Sequence, residues 1–150
     1  MDYLQMNADV VDLAGYGQGE WAYQSAYHLL LAQGQFFTPG ARPSCIPKLP
    51  DQLCYQNAAV TARTFRARGL LYAEGFACMR RAAGIPIEHA WCVSADGMVV
   101  DPTWEPAAEV YFGVVVADSA LCPVEGGGLL SDVDRCLPLL RGGGLRTDSG

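Results

Sequence analysis

Hydrophobic and polar positions follow two different periods along the chain, and the change between them predicts an α+β domain. From Glu20 to Gln33 the apolar residues recur at helical spacing, and Gly34 follows as a suitable helix end. A second helix is predicted from Gln52 to Arg68, with Asp51 as its N-cap and Gly69 after it. Its alanines indicate a face that packs closely on a sheet.

After this helix the pattern becomes that of strands, which form an antiparallel sheet in the prediction. Residues 70–78, 85–94, 98–101 and 111–116 are predicted as strands, with a hairpin turn at Asp96-Gly97. The segments 15–19, 35–50 and 79–84 are predicted as loops, the second because of its prolines. A helix interrupted at Pro138 is predicted over 129–140, and residues 141–150 are expected to be a disordered tail. We therefore assign 1–140 to one domain, with its core at 50–116.

Composition excludes several classes of protein. A chain of 150 residues with 51% hydrophobic residues can bury a core and is not intrinsically disordered. The net charge of −6 argues against a nucleic-acid-binding protein, and the absence of a long apolar run argues against a membrane protein. The first basic residue is Arg42, which is unlike a secretory signal, so we expect a cytoplasmic protein. In a reducing compartment its six cysteines are expected to be free thiols.

Cys54 is the cysteine whose position suggests chemistry. It falls in the first turn of the helix that Asp51 would cap, where backbone N–H groups and the helix dipole favour a thiolate and, later, an oxyanion. The alternative is a small buried cysteine, which is also the simplest interpretation of the other five. No cysteine or histidine spacing suggests zinc, and no metal or cofactor is predicted.

The loop after the third predicted strand decides whether His89 and Asp101 meet. A two-residue loop would pair Asp101 with Cys92 and turn it away from His89. A three-residue loop, Ala95-Asp96-Gly97 with Gly97 left-handed, would place Asp101 opposite Trp91 and diagonal to His89 on one face. A carboxylate–imidazole contact therefore requires a loop with an odd number of residues. Of the acids in the apolar strands, Glu74 and Glu88 are expected on the solvent face, with a buried carboxylate near the site as the alternative.

The order of these residues resembles a known superfamily. Cys54 at a helix start, His89-Ala90-Trp91 and then Asp101-Pro102-Thr103-Trp104 resemble the core of the transglutaminase-like superfamily within the papain-like fold. The chain is also similar to small bacterial and phage proteins with a CYxNA…EHAW…DPTW pattern. Around the cysteine the chain has CYQNA, where the superfamily commonly has Gly-X-Cys.

This resemblance implies a Cys-bearing helix packed on an antiparallel sheet and a thiol enzyme acting on a protein or peptide. Cys54 would be the nucleophile, His89 the base and Asp101 the residue that orients it. We expect a peptidase, isopeptidase or deamidase that forms an acyl-enzyme. Acyl transfer to an amine and a catalytically silent protein-binding module are the alternatives. Four residues are candidates for the second oxyanion donor or for substrate contact: Gln52, Asn57, Trp91 and Trp104.

Overall fold

The structure, a computed structural model that describes residues 1–14 and 21–146, has an α+β architecture. In the described part of the chain four α helices are present: α1 (Asp2–Ala14), α2 (Ala26–Gln33), α3 (Cys54–Thr64) and α4 (Val133–Leu140). Five strands follow the prediction closely except for the first: β1 (Gln35–Phe37), β2 (Leu71–Cys78), β3 (Ile87–Val93), β4 (Val99–Val100) and β5 (Val110–Val116). The loop predicted at 15–19 lies outside the described residues.

The five strands form one sheet in the order β1-β5-β2-β3-β4, and every neighbouring pair is antiparallel. The sheet curls so that its two edges approach each other. The Val99 N–H donates to the Thr38 carbonyl at 2.9 Å, and Thr38 also bridges Met98. This curling encloses the inner face of the sheet.

The two faces of the sheet therefore bury different clusters. The outer face carries the larger one, which takes in buried residues of all four helices, among them Leu4, Leu30, Ala58 and Leu139. The inner face holds a smaller cluster around Trp91 and Tyr111. Because side chains alternate along a strand, His89 points to the inner face and its neighbour Ala90 to the outer one.

The β3–β4 connection is the predicted three-residue loop. The Ser94 N–H donates to the Met98 carbonyl at 2.9 Å, Val93 pairs with Val99, and Gly97 has a φ of 83°. Gly97 supplies the left-handed residue because glycine adopts positive φ without a Cβ penalty. The register places Asp101 beyond the last pair, opposite Trp91 and on the face of His89. Of the two alternatives, the structure has the odd-numbered loop that a His89–Asp101 contact requires.

Helix α3 differs from its predicted form at both ends. It begins at Cys54 with Leu53 in the N-cap position, while Asp51 accepts from Lys48 Nζ at 2.9 Å. Gln52, between them, has a φ of 67°, and this left-handed residue turns the chain so that Asp51 is too far upstream to cap. The predicted cap was wrong. At the other end a 3₁₀ turn over 66–68 replaces the last helical turn before Gly69.

The remaining differences between the predicted and the observed elements lie towards the two ends of the chain. Helix α1 was not predicted, although Leu4 and Ala8 are buried at helical spacing. Strand β1 lies within the predicted 35–50 loop, and its pairing with β5 makes it a strand. Helix α2 begins at Ala26 rather than Glu20, because Ser25 caps it: its Oγ accepts from the His28 N–H.

The C-terminal segment is more ordered than predicted. Residues 129–132 precede α4 rather than belonging to it, and Pro138 lies inside the helix. Residues 141–146 are not a disordered tail, because Leu145 bridges Val116 and the Arg146 N–H donates to the Val115 carbonyl. Residues 147–150 lie outside the description. Among residues 1–14 and 21–146, no helix combines the length and apolarity needed to cross a membrane.

Candidate functional site

Cys54 is the first residue of α3, beside the exposed edge of β3. Helix α3 packs on the outer face of β3, where the Cys92 thiol donates to the Ala58 carbonyl at 3.2 Å. Strand β4 pairs only with Cys92 and Val93, so the Ala90 N–H on the same edge is available to another partner. That N–H and the Tyr55 N–H both act to lower the pKa of the half-buried Cys54.

The pKa of Cys54 is nevertheless raised rather than lowered. Burial is the largest cause, and the negative charges of Glu74 and Asp101 raise it further, while the two backbone N–H groups only partly offset these effects. The N–H group at the helix start thus lowers the pKa of Cys54 as expected, but burial outweighs it.

His89 and Asp101 form a buried pair on the inner face. His89 Nε2 lies 2.8 Å from Asp101 Oδ2, and both residues are only 1% exposed. The distance is that of a charge-assisted hydrogen bond. The two candidates therefore meet as the three-residue loop predicts.

Asp101 accepts hydrogen bonds at both oxygens. Oδ1 accepts from the N–H groups of Thr103 at 2.8 Å and Trp104 at 3.0 Å, and Oδ2 accepts from the Tyr111 hydroxyl at 2.8 Å as well as facing His89. Burial raises the pKa of Asp101, but the His89 hydrogen bond and charge and the two N–H groups outweigh burial, so the pKa is below its usual value.

An ionised Asp101 determines which ring nitrogen of His89 carries the proton. A carboxylate only accepts hydrogen bonds, so we assign the proton of neutral His89 to Nε2. The lone pair of neutral His89 is then on Nδ1. That nitrogen is the one able to take a proton from another group.

The two tryptophans near the site have different surroundings. The half-buried Trp104 stacks on His89, with ring centroids 3.6 Å apart and planes 9° from parallel, and it faces the site. Trp91 is 0% exposed and packs in the inner cluster, 5.1 Å from the Tyr111 ring. Of the two candidates for substrate contact, Trp104 has the necessary exposure and Trp91 does not.

The two candidate oxyanion donors also have different surroundings. Asn57 is buried, and its amide nitrogen donates to the Pro50 carbonyl at 2.7 Å and to Thr103 Oγ1 at 3.0 Å. One bond ties α3 to the loop before it and the other to the segment after Asp101, so both amide hydrogens already have acceptors. Gln52 is exposed and borders the same cleft as Cys54.

That cleft has a volume of about 430 Å³. We define the Cys54 cleft by six of its lining residues: Gln52, Cys54, Glu88, His89, Thr103 and Trp104. The thiol, the imidazole and an exposed amide thus border one solvent-accessible space. A carbonyl group placed there would meet a thiol, an imidazole and backbone N–H groups at the start of α3.

The raised pKa of Cys54 gives a first testable prediction. We expect no thiolate absorbance from Cys54 at neutral pH, with its signal growing in only above the ordinary pH range of thiol ionisation. The difference in ultraviolet absorbance between the wild type and Cys54→Ala, followed against pH, measures it. A thiolate signal at neutral pH that disappears in Cys54→Ala would instead indicate a preformed ion pair with His89.

Glu74 is a second buried carboxyl group, contrary to its expected place on the solvent face. It is 2% exposed and accepts from the Tyr72 hydroxyl at 2.5 Å and from the N–H groups of Leu129 and Leu130 at 2.9 and 2.8 Å. Burial raises its pKa despite these donors. These bonds hold the loop before α4, and that helix begins later than predicted because Asp132 caps it by accepting from the Arg135 N–H. Glu88 is exposed, as expected.

The sequence interpretation missed two residues that position the site. The Tyr111 hydroxyl donates to Asp101, and Thr103 Oγ1 receives the Asn57 bond. Tyr111 shared the inward parity of Val115 in a predicted strand, which was the available signal. The position of Thr103 depends on the chain path after β4, for which the sequence carries no comparable signal.

Within the described residues, no group of three or more His, Cys, Asp or Glu side chains is placed to hold a metal ion. The other histidine, His28, is half-buried on α2 and hydrogen-bonds Ser25 through Nδ1 at 2.8 Å, far along the chain from the cleft residues. Comparison with protein-family models, curated proteins and solved structures found no match to this chain.

Proposed function

We propose that this protein is a papain-like thiol hydrolase of amide bonds, a peptidase, isopeptidase or deamidase. Cys54 is the nucleophile, His89 the base and Asp101 the residue that orients His89. The observation that carries the proposal is the 2.8 Å bond from His89 Nε2 to Asp101, because it leaves Nδ1 as the free ring nitrogen of a histidine that lines the same cleft as Cys54. The helix that begins with Cys54 and packs on an antiparallel sheet supports the same assignment.

The first half of the reaction forms an acyl-enzyme. His89 Nδ1 takes the thiol proton as Cys54 Sγ bonds to the carbonyl carbon, and the oxyanion is held by the Cys54 N–H with the Gln52 side-chain amide. The carbon–nitrogen bond then breaks, and His89 returns its proton to the leaving amine. The electron pair of the broken bond leaves with the amine, so the acyl group remains on sulfur.

In the second half water replaces the amine. His89 takes a proton from water, the resulting hydroxide attacks the thioester, and the carbon–sulfur bond breaks. Cys54 leaves as thiolate and recovers its proton from His89, releasing a carboxylic acid. Asp101 stabilises the imidazolium in each half without itself becoming protonated. The lowered pKa of Asp101 supports this role.

Alkylation of individual cysteines tests the proposal. We expect His89→Gln to lower the rate at which iodoacetamide alkylates Cys54 at neutral pH by about 100-fold, because a general base contributes about 10²–10⁴-fold. Glutamine retains an N–H donor for Asp101 but has no basic nitrogen. Mass spectrometry of peptides gives the rate at each cysteine.

Three controls are built into the chain. The exposed Cys45 should react equally in both proteins, and the buried Cys92 should stay unlabelled as long as the fold is intact. His28→Ala removes the other histidine and should leave the Cys54 rate unchanged. Equal Cys54 rates in the wild type and His89→Gln, with Cys92 protected, would contradict the enzyme and indicate a binding module.

A further inference from the structure

A second cavity, of about 470 Å³, lies next to the Cys54 cleft. We call it the aromatic cavity and define it by Trp21, Tyr27, Tyr55, Glu74, Phe76 and Glu88. Its volume is within the range of small-molecule sites. Helices α1, α2 and α4 contribute to its walls, so it is built largely outside the predicted core at 50–116.

The aromatic cavity and the Cys54 cleft share a wall. Glu88 lines both, and Tyr55 in the cavity directly follows Cys54 in the cleft. Glu88 is the exposed residue of β3 immediately before His89, on the opposite face of the sheet. The two spaces therefore adjoin at Glu88, where a substrate with its carbonyl group at Cys54 can place a side chain.

The chemistry of the walls is apolar and acidic. Rings of Trp21, Tyr27, Tyr55 and Phe76 face a space whose charged lining residues, in the described part of the chain, are Glu74 and Glu88, with no lysine, arginine or histidine. The Glu74 oxygens are already taken by Tyr72 and two backbone N–H groups. Glu88 is exposed, so its carboxylate is the one available to a ligand.

Such walls suit a side chain with an apolar stem and a cationic end. An aliphatic stem buries against apolar surface while its charge stays near solvent, and aromatic faces attract cations. An anionic ligand would meet two like charges. Glu88 is also close enough to both phenols to contribute, after burial, to the raised pKa of Tyr27 and of Tyr55.

We propose that the aromatic cavity binds an arginine or lysine side chain on the acyl side of the bond that Cys54 attacks. This assignment rests on the proposed amide hydrolase and adds its substrate class. The basic side chain lies along the aromatic rings, and its cationic end pairs with Glu88 at the rim shared by the two spaces.

Two matched probes test the specificity. We expect a peptidyl chloromethyl ketone with arginine next to the reactive carbon to alkylate Cys54 about 10-fold faster than the same probe with citrulline, which has the shape of arginine without its charge. That ratio is the size expected of one partly exposed ion pair with one cation–π contact. Glu88→Gln should remove the ion-pair part and reduce the ratio to the roughly 3-fold preference expected of the cation–π contact alone. Glu125→Gln, the same change at an exposed glutamate outside both spaces, should preserve it.

A binding measurement separates failure of this inference from failure of the hydrolase. We expect acetyl-arginine amide to bind the unmodified protein more tightly than acetyl-citrulline amide, by calorimetry, and Glu88→Gln to reduce the difference to that of the cation–π contact. Equal labelling by the two probes, with Cys54 still dependent on His89, would overturn the basic specificity and leave the hydrolase standing. Preferential binding of the arginine amide without any His89-dependent labelling would overturn the hydrolase and retain a cation site. Equal binding of both amides would overturn the cavity assignment itself.

Discussion

Replacing Asp101 with asparagine should lower amide hydrolysis by about 10⁴-fold and Cys54 alkylation to the rate of His89→Gln, with the protein still folded. An effect of this size follows when the orienting carboxylate of a catalytic triad becomes an amide and the histidine takes the wrong tautomer. The asparagine oxygen can still accept from the Thr103 and Trp104 N–H groups that bind Oδ1. Its amide nitrogen then faces His89 and Tyr111 in place of Oδ2.

An N–H donor facing His89 changes which nitrogen of the ring carries the proton. Nε2 has to accept, so the proton moves to Nδ1, and a protonated Nδ1 can no longer take the thiol proton. The Tyr111 hydroxyl oxygen, which already accepts from the Ala108 N–H at 2.9 Å, has a second lone pair that can accept from the asparagine amide. The loss of activity therefore comes from one misplaced proton and not from a damaged core.

Nitrogen-15 NMR of the histidine rings measures the tautomer directly. The chain has two histidines, so His28→Ala identifies the signals of His89. Tyr111→Phe is the matched control: it removes one donor to Asp101 Oδ2 without altering the His89 tautomer, and we expect it to lower the rate less than 10-fold. A protonated Nδ1 in the wild type, or an unchanged tautomer in Asp101→Asn, would rule out the assigned roles.

The sequence predicted the strands of the core because local patterns carry that information. The Ala95-Asp96-Gly97 loop sets the register of β4, and the register alone decides that Asp101 faces His89. The segment from β2 to β5 is dense in apolar residues of strand period, and those strands were found within a few residues of their observed ends. The position of a site residue on such a strand is therefore predicted as well as the strand itself.

Other features depend on contacts between distant segments. Asp51 has the residue type of an N-cap, but the left-handed Gln52 takes it away from α3. Strand β1 exists through its pairing with β5, and Glu74 is buried because the loop at 128–130, more than fifty residues away, donates to it. The pKa of Cys54 is likewise governed by burial, which the sequence position alone does not give. Tertiary context overrides local preference at each of these points.

Trp91 and Trp104 flank the site in sequence, yet the structure gives them opposite roles, and stability measurements should separate them. We expect Trp91→Ala to lower the free energy of unfolding by about 3–5 kcal/mol, the usual cost of removing a large buried aromatic side chain. Trp91 is wholly buried between Phe37 and Tyr111, and its Cη2 atom would lie 2.8 Å from a Cβ at Gly113. Gly113 therefore makes room for this ring, and alanine would leave a void that the sheet cannot close.

Trp104→Ala should lower the free energy of unfolding less, by about 1–2 kcal/mol, because part of the half-buried Trp104 side chain is exposed already. Its loss should instead free the His89 ring, which it stacks on at 3.6 Å, and lower the Cys54 alkylation rate.

Trp91→Phe is the matched variant for the first tryptophan. Among the described residues, Trp91 Nε1 is a buried donor with no hydrogen-bond partner, so phenylalanine loses ring area but also removes that unsatisfied N–H, and we expect a cost well below that of alanine. Urea unfolding of the three variants, followed by circular dichroism, gives the free energies. Equal losses for Trp91→Ala and Trp104→Ala would contradict the separation of the enclosed inner cluster from the cleft wall.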